Sequence, residues 1–503
     1  MVSTKHSEEL RRLARSVLQP GFVGTEAPDW VLREIGDGLA SVVLFSRNIV
    51  TPQQVTRLTG RLRAENPELI IAIDEEAGDV TRIESATGST RPGNFALGTV
   101  DDAELTEAVA ADLGRQLRAA GVSLDYAPSA DVNSNPDNPI IGVRSFGVDA
   151  EVVARHTGAW IRGLQSAGVA ACAKHFPGHG DVAVDSHHGL PVYDAGRARI
   201  AEQALPPFRA AIDAGVRAVM SGHLLVPAYD PDLPATLSRR ILDELLRQEL
   251  GFDGVIVTDA IEMGAVTGRY GIGGATVRAV AAGADAVCVG GENADEGTAA
   301  LLVNALADAV LAGGLPEERL VEASLRVREF AAWSGGLSPA GPAVWDADGI
   351  GFAAARRAIR LAGAVRHALP LVNAPHVVEL VPATNLAIGK ETPWGVAAPL
   401  GERLPGTTSV RVSREEVLSR AGTLETRALA PASGRPLVVV VRDAARHAWM
   451  AQALAELVAA RPDAIVVEMG LPGTVVPSAA QIFTHGATAA SGVAAAEVLA
   501  GAL

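Results

Sequence analysis

The chain has 503 residues, 48% of them hydrophobic and 20% charged, with 52 glycines and 29 prolines; this is the balance of a packed enzyme, too long for one ordinary core. Its 43 basic residues against 58 acidic ones leave a formal net charge of −15, a field that opposes nucleic acid and anionic membranes, so neither is expected as a partner. The two cysteines, Cys172 and Cys288, both lie in apolar runs, where they read as small buried hydrophobes, and a disulfide framework or cysteine-rich zinc site is excluded.

In chain order, MVSTKHSEELRRLARSVLQPGF is too charged for a secretory signal, and no run reaches the roughly 20 apolar residues of a membrane helix; a cytoplasmic protein is expected. From there to about residue 335, eight short runs rich in Val, Ile and Ala alternate with segments of helical period: SVLQPGF, SVVLFSRN, LIIAIDEE, VSLDYAPS, VAACAKHF, VRAVMSGH, GVIVTDA and ADAVCVGG. That alternation is the mark of βα units around a parallel sheet, and eight is the number that closes a (β/α)8 barrel. The strands lack clean alternation of polarity, as they should where side chains fill one face and helices cover the other. The helices between them carry stops and starts: Thr51 as N-cap with Pro52 in the first turn of TPQQVTRLTGRL, and Gly251 closing LSRRILDELLRQELG.

Most runs end in polar residues, namely Arg47 and Asn48, Asp74 to Glu76, Asp125, Lys174 and His175, His223, and Asp259. Strand carboxyl ends form the catalytic face of such a barrel, so these residues are predicted to converge on one mouth. The barrel is expected over 1–335. A stretch dense in Gly, Pro and Asp, SGGLSPAGPAVWDADGIG, predicts a linker at 336–350, and the helix and strand patterns beyond it predict a smaller α/β sandwich over 351–503.

The segment AKHFPGHGDVAVDSHHGLP, residues 173 to 191, holds His175, His179, His187 and His188, four of the chain's eleven histidines. A metal site is disfavoured because Pro177, Gly178 and Gly180 prevent the helix that would bring His175 and His179 onto one face, and no HExxH pattern is present. A phosphate cradle is disfavoured because FPGHGD, YGIGGATVRA and IGKE lack the Walker and dinucleotide patterns. An acid/base centre remains: Asp185 beside His187 is a carboxylate that raises and orients an imidazole of ordinary pKa ~6.5. The bland alternative, a turn cap beside a surface histidine, fits the same residues.

KHFPGHGDVAVDSHHGLP resembles the signature of glycoside hydrolase family 3 in its N-acetylglucosaminidase branch, KH[FY]PGHG followed by DSH. IDEEAGDVTRI (73 to 83), APSADVNSNPDNPIIGVRSFG (127 to 147), LFSRN (44 to 48) and LLRQELGFDGVIVTDAIEM (245 to 263) are similar to further motifs of that family, in family order. Glu75, Ala77 and Asp79 depart from it, standing where Gln, Gly and Arg or another residue are usual. The resemblance implies Asp259 as nucleophile, for which N-capping of the next segment is the alternative. It further implies His187 as acid/base oriented by Asp185, and Asp74, Arg82, Arg144, Lys174 and His175 as substrate ligands, with His179 and Gly180 as turn residues and no metal or cofactor.

The implied activity is that of a retaining exo-β-N-acetylglucosaminidase acting on GlcNAc at the end of chitin-derived or peptidoglycan-derived saccharides. A phosphorylase using the same residues is the alternative, with inorganic phosphate as a second small-molecule partner. A histidine that has donated its proton is neutral, whereas a glutamate would repel a phosphate charge by about 4 kcal/mol at about 4 Å and an effective dielectric of about 20. A non-catalytic sugar-binding protein and a metal-dependent barrel hydrolase are the rivals from other classes. The first has no need of a nucleophile, and the second would lose activity to a chelator.

Overall fold

Each of the eight apolar runs forms a strand in a computed structural model of the chain, which describes residues 4–183, 189–335, 349–383, 392–419, 422–473 and 475–503. The strands are β1 (Leu18–Pro20), β2 (Ser41–Leu44), β3 (Ile70–Ile73), β4 (Leu124–Asp125), β5 (Ala170–Phe176), β6 (Ala218–Ser221), β7 (Val255–Thr258) and β8 (Val287–Val289). β2 to β7 make one parallel sheet in chain order. β1 pairs with β8, a parallel bridge between Val257 and Ala286 joins β7 to the β8 stretch, and β1 lies beside β2, where Ser41 Oγ donates to Leu18 O at 3.0 Å. The strand order therefore runs in a circuit of the (β/α)8 kind.

Alternate strand residues, among them Ile70, Ala72, Leu124, Tyr126, Ala170, Cys172, Ala218, Met220, Val255, Val257 and Cys288, share one core with Val327 and Phe330 of helix Glu317–Gly335. Period-2 alternation puts these residues on one face of the sheet. Both cysteines are buried there as free thiols, and burial pushes each thiol's pKa up. The helix signals are realised: Thr51 Oγ1 accepts from Gln54 N at 3.2 Å ahead of helix Pro52–Glu65. Gly251, at φ +72°, follows the wide-wound helix Arg240–Glu249.

The chain divides into two units, the first of Met1–Glu76, Thr106–Ile141 and Gly147–Val344, the second of Ala77–Leu105, Gly142–Phe146 and Trp345–Leu503. Two stretches from the N-terminal half thus belong with the C-terminal unit. The linker expected at 336–350 lies outside the described residues except for 349 and 350.

The second unit holds β9 (Arg360–Gly363), β10 (His376–Val381), β11 (Thr408–Ser413), β12 (Leu437–Val441), β13 (Ile465–Glu468) and β14 (Ala480–Phe483). They lie in the order β9-β14-β13-β12-β10-β11, all parallel except β9. Val439 and Val441 face one core with Met450 and Leu454, while Val438 and Val440 face another with Ala495 and Leu499. A sheet apolar on both faces has to be covered on both, and this one makes an α/β sandwich.

The stretch 77–105 is fastened within that unit. Asp79 accepts from Arg442 Nη2 at 2.6 Å and from Ala487 N at 2.8 Å, Arg360 Nη2 donates to Thr99 O at 2.7 Å, and Ala490 N donates to Ser89 O at 3.1 Å. Asn94 Nδ2 in turn donates to Arg144 O at 2.7 Å, and a Cβ on Gly98 would stand 1.7 Å from Phe146 O, so only glycine fits there. Among the described residues no helix is long and apolar enough to cross a membrane.

Candidate active site

Lys174 lies near the carboxyl end of β5 with its side chain 2% exposed, and its Nζ donates to Asp74 Oδ1 at 2.5 Å and pairs with Glu76 Oε1 at 2.7 Å. An ammonium so deeply placed persists only with carboxylates against it. β3 supplies them by ending at Ile73, immediately before Asp74. Asp125 closes β4 fully buried, its Oδ1 accepting from Glu75 N at 2.9 Å, and burial pushes its carboxyl well above the usual range.

His175, next along β5, presents Nδ1 to Asp131 Oδ2 at 2.7 Å. Asp131 also accepts from His175 N at 3.2 Å, His179 N at 2.6 Å and Ser129 Oγ at 3.1 Å. His179 is a buried turn residue whose carbonyl accepts from Asn138 Nδ2 at 2.7 Å. Burial first, and then His175, push its imidazole down to about 4. Neither of its ring nitrogens has a hydrogen-bond partner among the described residues. The turn is too close to the neighbouring backbone for a side chain at Gly180, where a Cβ would stand 1.8 Å from Val132 O.

Asp259 follows β7 directly and is half-buried, its N–H donating to Ser221 O at 3.1 Å and its Oδ1 accepting from Ala260 N at 2.8 Å. It is not a helix cap, since the next helix, Gly264–Ala282, has Met263 in that position. His223 Nε2 meets Ala260 O at 3.0 Å, so that nitrogen carries a proton and steadies the backbone beyond Asp259. Glu262 Oε1 accepts from Gly290 N at 2.8 Å and Gly291 N at 2.6 Å, while Arg47 donates to Gly291 O at 2.8 Å, to Phe22 O at 2.9 Å and to Gly290 O. Arg47 and His223 therefore brace loop backbone.

Of the residues expected at the site, Asp74, Lys174, His175 and Asp259 stand at the carboxyl ends of β3, β5 and β7 in the first unit. Arg82 and Arg144 belong to the second unit, 8% and 7% exposed. Asp185 and His187 lie outside the described residues. Sequence reasoning missed Asp131, whose one signal was an aspartate inside the DVNSNP motif. Ala77, standing where glycine is usual, adopts φ +56°, a left-handed conformation that explains the glycine.

The strand ends of this parallel barrel gather a buried lysine–carboxylate cluster, an aspartate-bound histidine and a half-buried aspartate on the face where barrel enzymes carry their catalytic groups. The glycosyl hydrolase family 3 N terminal domain matches residues 25–330, and the chain belongs to that family. Beta-hexosaminidase A of Pseudoalteromonas piscicida is 37% identical over 269 residues, 49% of this chain, which spans only 45% of that relative. Beta-hexosaminidase of Stenotrophomonas maltophilia is 37% identical over 279 residues, covering 54% of this chain and 82% of that one. The structure of a family 3 beta-N-acetylglucosaminidase from Paenibacillus sp. str. FPU-7 superposes with a TM-score of 0.86 at 34% identity, over 98% of this chain and 97% of that one.

Proposed function

We propose that the protein is a retaining exo-β-N-acetylglucosaminidase that releases GlcNAc from the ends of chitin-derived or peptidoglycan-derived saccharides. In this reading Asp259 attacks the anomeric carbon while His187, oriented by Asp185, gives its proton to the departing oxygen. His187 then takes a proton from water, which displaces Asp259 and leaves the β configuration unchanged. Asp74, Arg82, Arg144, Lys174 and His175 are the sugar's hydrogen-bonding partners, charged groups being the stronger ones for hydroxyls.

The observation that carries the reading is Asp259 at a strand's carboxyl end, half-buried and free of a helix-capping role, on the same barrel as the Lys174 cluster. The Paenibacillus enzyme, similar over 98% of this chain, supports the substrate class. The test is turnover of 4-nitrophenyl β-N-acetylglucosaminide with and without inorganic phosphate, with proton NMR of the first sugar formed and Asp259→Ala as control. β-GlcNAc appearing first, with phosphate making no difference and Asp259→Ala inactive, is the expected result. GlcNAc 1-phosphate would make the enzyme a phosphorylase, and activity in Asp259→Ala would overturn the mechanism.

A further inference from the structure

The segment after β4 runs beside the end of β5: Ala130 N donates to Lys174 O at 2.6 Å, and Ser129 bridges Lys174 in parallel. Asp131, next along, is wholly buried, and four donors converge on its carboxyl from His175, His179 and Ser129. Burial alone would raise this carboxyl, but His175 first and then His179 outweigh it and hold the group below the usual carboxylate range. An ionised carboxylate only accepts. Nδ1 of His175 must therefore carry a hydrogen, and in the neutral ring Nε2 is left as the acceptor.

We propose that Asp131 is the positioning residue of the sugar site, setting the proton of His175 on Nδ1 and leaving Nε2 for a sugar hydroxyl. Through its bond from His179 N the same carboxylate fastens the turn from which the chain runs on towards Asp185 and His187. The inference rests on the reading of His175 as a sugar ligand. Asp131→Asn separates the roles of the two carboxyl oxygens. Its amide oxygen can still accept from the backbone N–H groups of His175 and His179, but its NH2 faces Nδ1 and drives the ring proton to Nε2, turning an acceptor into a donor.

The test combines ring-nitrogen NMR of the 15N-histidine-labelled full chain, with His175 assigned by its absence in His175→Gln, and kinetics of Asp131→Asn in both backgrounds. The expected spectrum has Nδ1 of His175 protonated; a bare Nδ1 in the wild-type chain overturns the proposal, even if the variant fails to fold. Asp131→Asn is expected to lower kcat/KM for 4-nitrophenyl β-N-acetylglucosaminide by about 10- to 100-fold, mainly through KM. In His175→Gln the further loss should be under about threefold, because the residue acts through a ring that is no longer there. An equal loss in both backgrounds marks a mere scaffold residue and overturns the proposal. Should the wild-type chain leave this substrate untouched, the functional reading fails, while the spectrum still decides on Asp131.

Discussion

Asp79 and Arg442, 363 residues apart in sequence, meet in a buried ion pair with Oδ2 to Nη2 at 2.6 Å and side chains 1% and 6% exposed. The pair binds a stretch of the N-terminal half into the C-terminal unit, and it gives a role to an aspartate at a position where the family pattern has arginine or another residue. An arginine there would set two guanidinium groups against each other.

Arg442→Met leaves the Asp79 carboxylate buried and uncompensated, and is expected to cost about 3–5 kcal/mol in urea unfolding. Asp79→Leu combined with Arg442→Met exchanges the pair for apolar groups and should recover most of that loss. A single variant within about 1 kcal/mol of wild type would show that the pair does not hold the segment.

Lys174→Met removes a buried cation that pairs with both Asp74 and Glu76, whose side chains are 29% and 3% exposed. The same imbalance predicts a loss of about 3–5 kcal/mol, together with a fall of roughly 100-fold in kcat/KM from the lost charged hydrogen bonds. Denaturation and steady-state kinetics check the two independently, and a stable variant with full activity would contradict both.

Glu468 and His485 in the second unit set opposite pH slopes. Burial, followed by Asp443, raises Glu468 from 4.5 to about 7, so the folded state binds the extra proton and stability falls as pH climbs through that window. Burial lowers His485 from 6.5 to about 4, so the unfolded state binds more protons and stability falls as pH drops below 6.5. Each is worth roughly 3 kcal/mol over its window. Glu468→Gln removes the first slope, and its stability should therefore drop more steeply than wild type between pH 6.5 and 4.5. Urea midpoints across that range decide it, parallel profiles being the contrary result.

Ala77→Gly should raise stability by about 1 kcal/mol, because the left-handed backbone at φ +56° strains a residue with a Cβ and suits one without. A thermal scan of the variant suffices; an unchanged or lower midpoint would show that the left-handed turn stores no strain.

Much of this was legible in sequence because it depends on local pattern. Runs such as LIIAIDEE and GVIVTDA announce both a strand and the polar residue at its end, so Asp74 and Asp259 could be placed on one catalytic face before any coordinates. Thr51 and Gly251 marked helix ends by their own backbone chemistry. Asp131 was not legible as a functional residue, since nothing in its neighbours says that His175, 44 residues on, will donate to it. Arg47 and His223 were read as residues of the mouth, and their hydrogen bonds to Phe22, Gly290, Gly291 and Ala260 carbonyls hold backbone just beyond the carboxyl ends of β1, β8 and β7.

What the sequence determined by itself was the number and order of the eight barrel strands, their burial, and the chemical kinds of residue at their ends, all consequences of apolar periodicity and turn residues acting over a few positions; in the second unit it did not mark Arg360–Gly363, Thr408–Ser413 or Ala480–Phe483 as strands. What only the tertiary structure decided was pairing over long separations: Asp131 with His175, Lys174 with Asp74 and Glu76, and Asp79 with Arg442, the last taking residues 77–105 out of the barrel's unit and into the other. Burial forces each of those charges to find a partner, but it does not say which one. That choice is made by chain topology, which brings together groups that no local pattern connects.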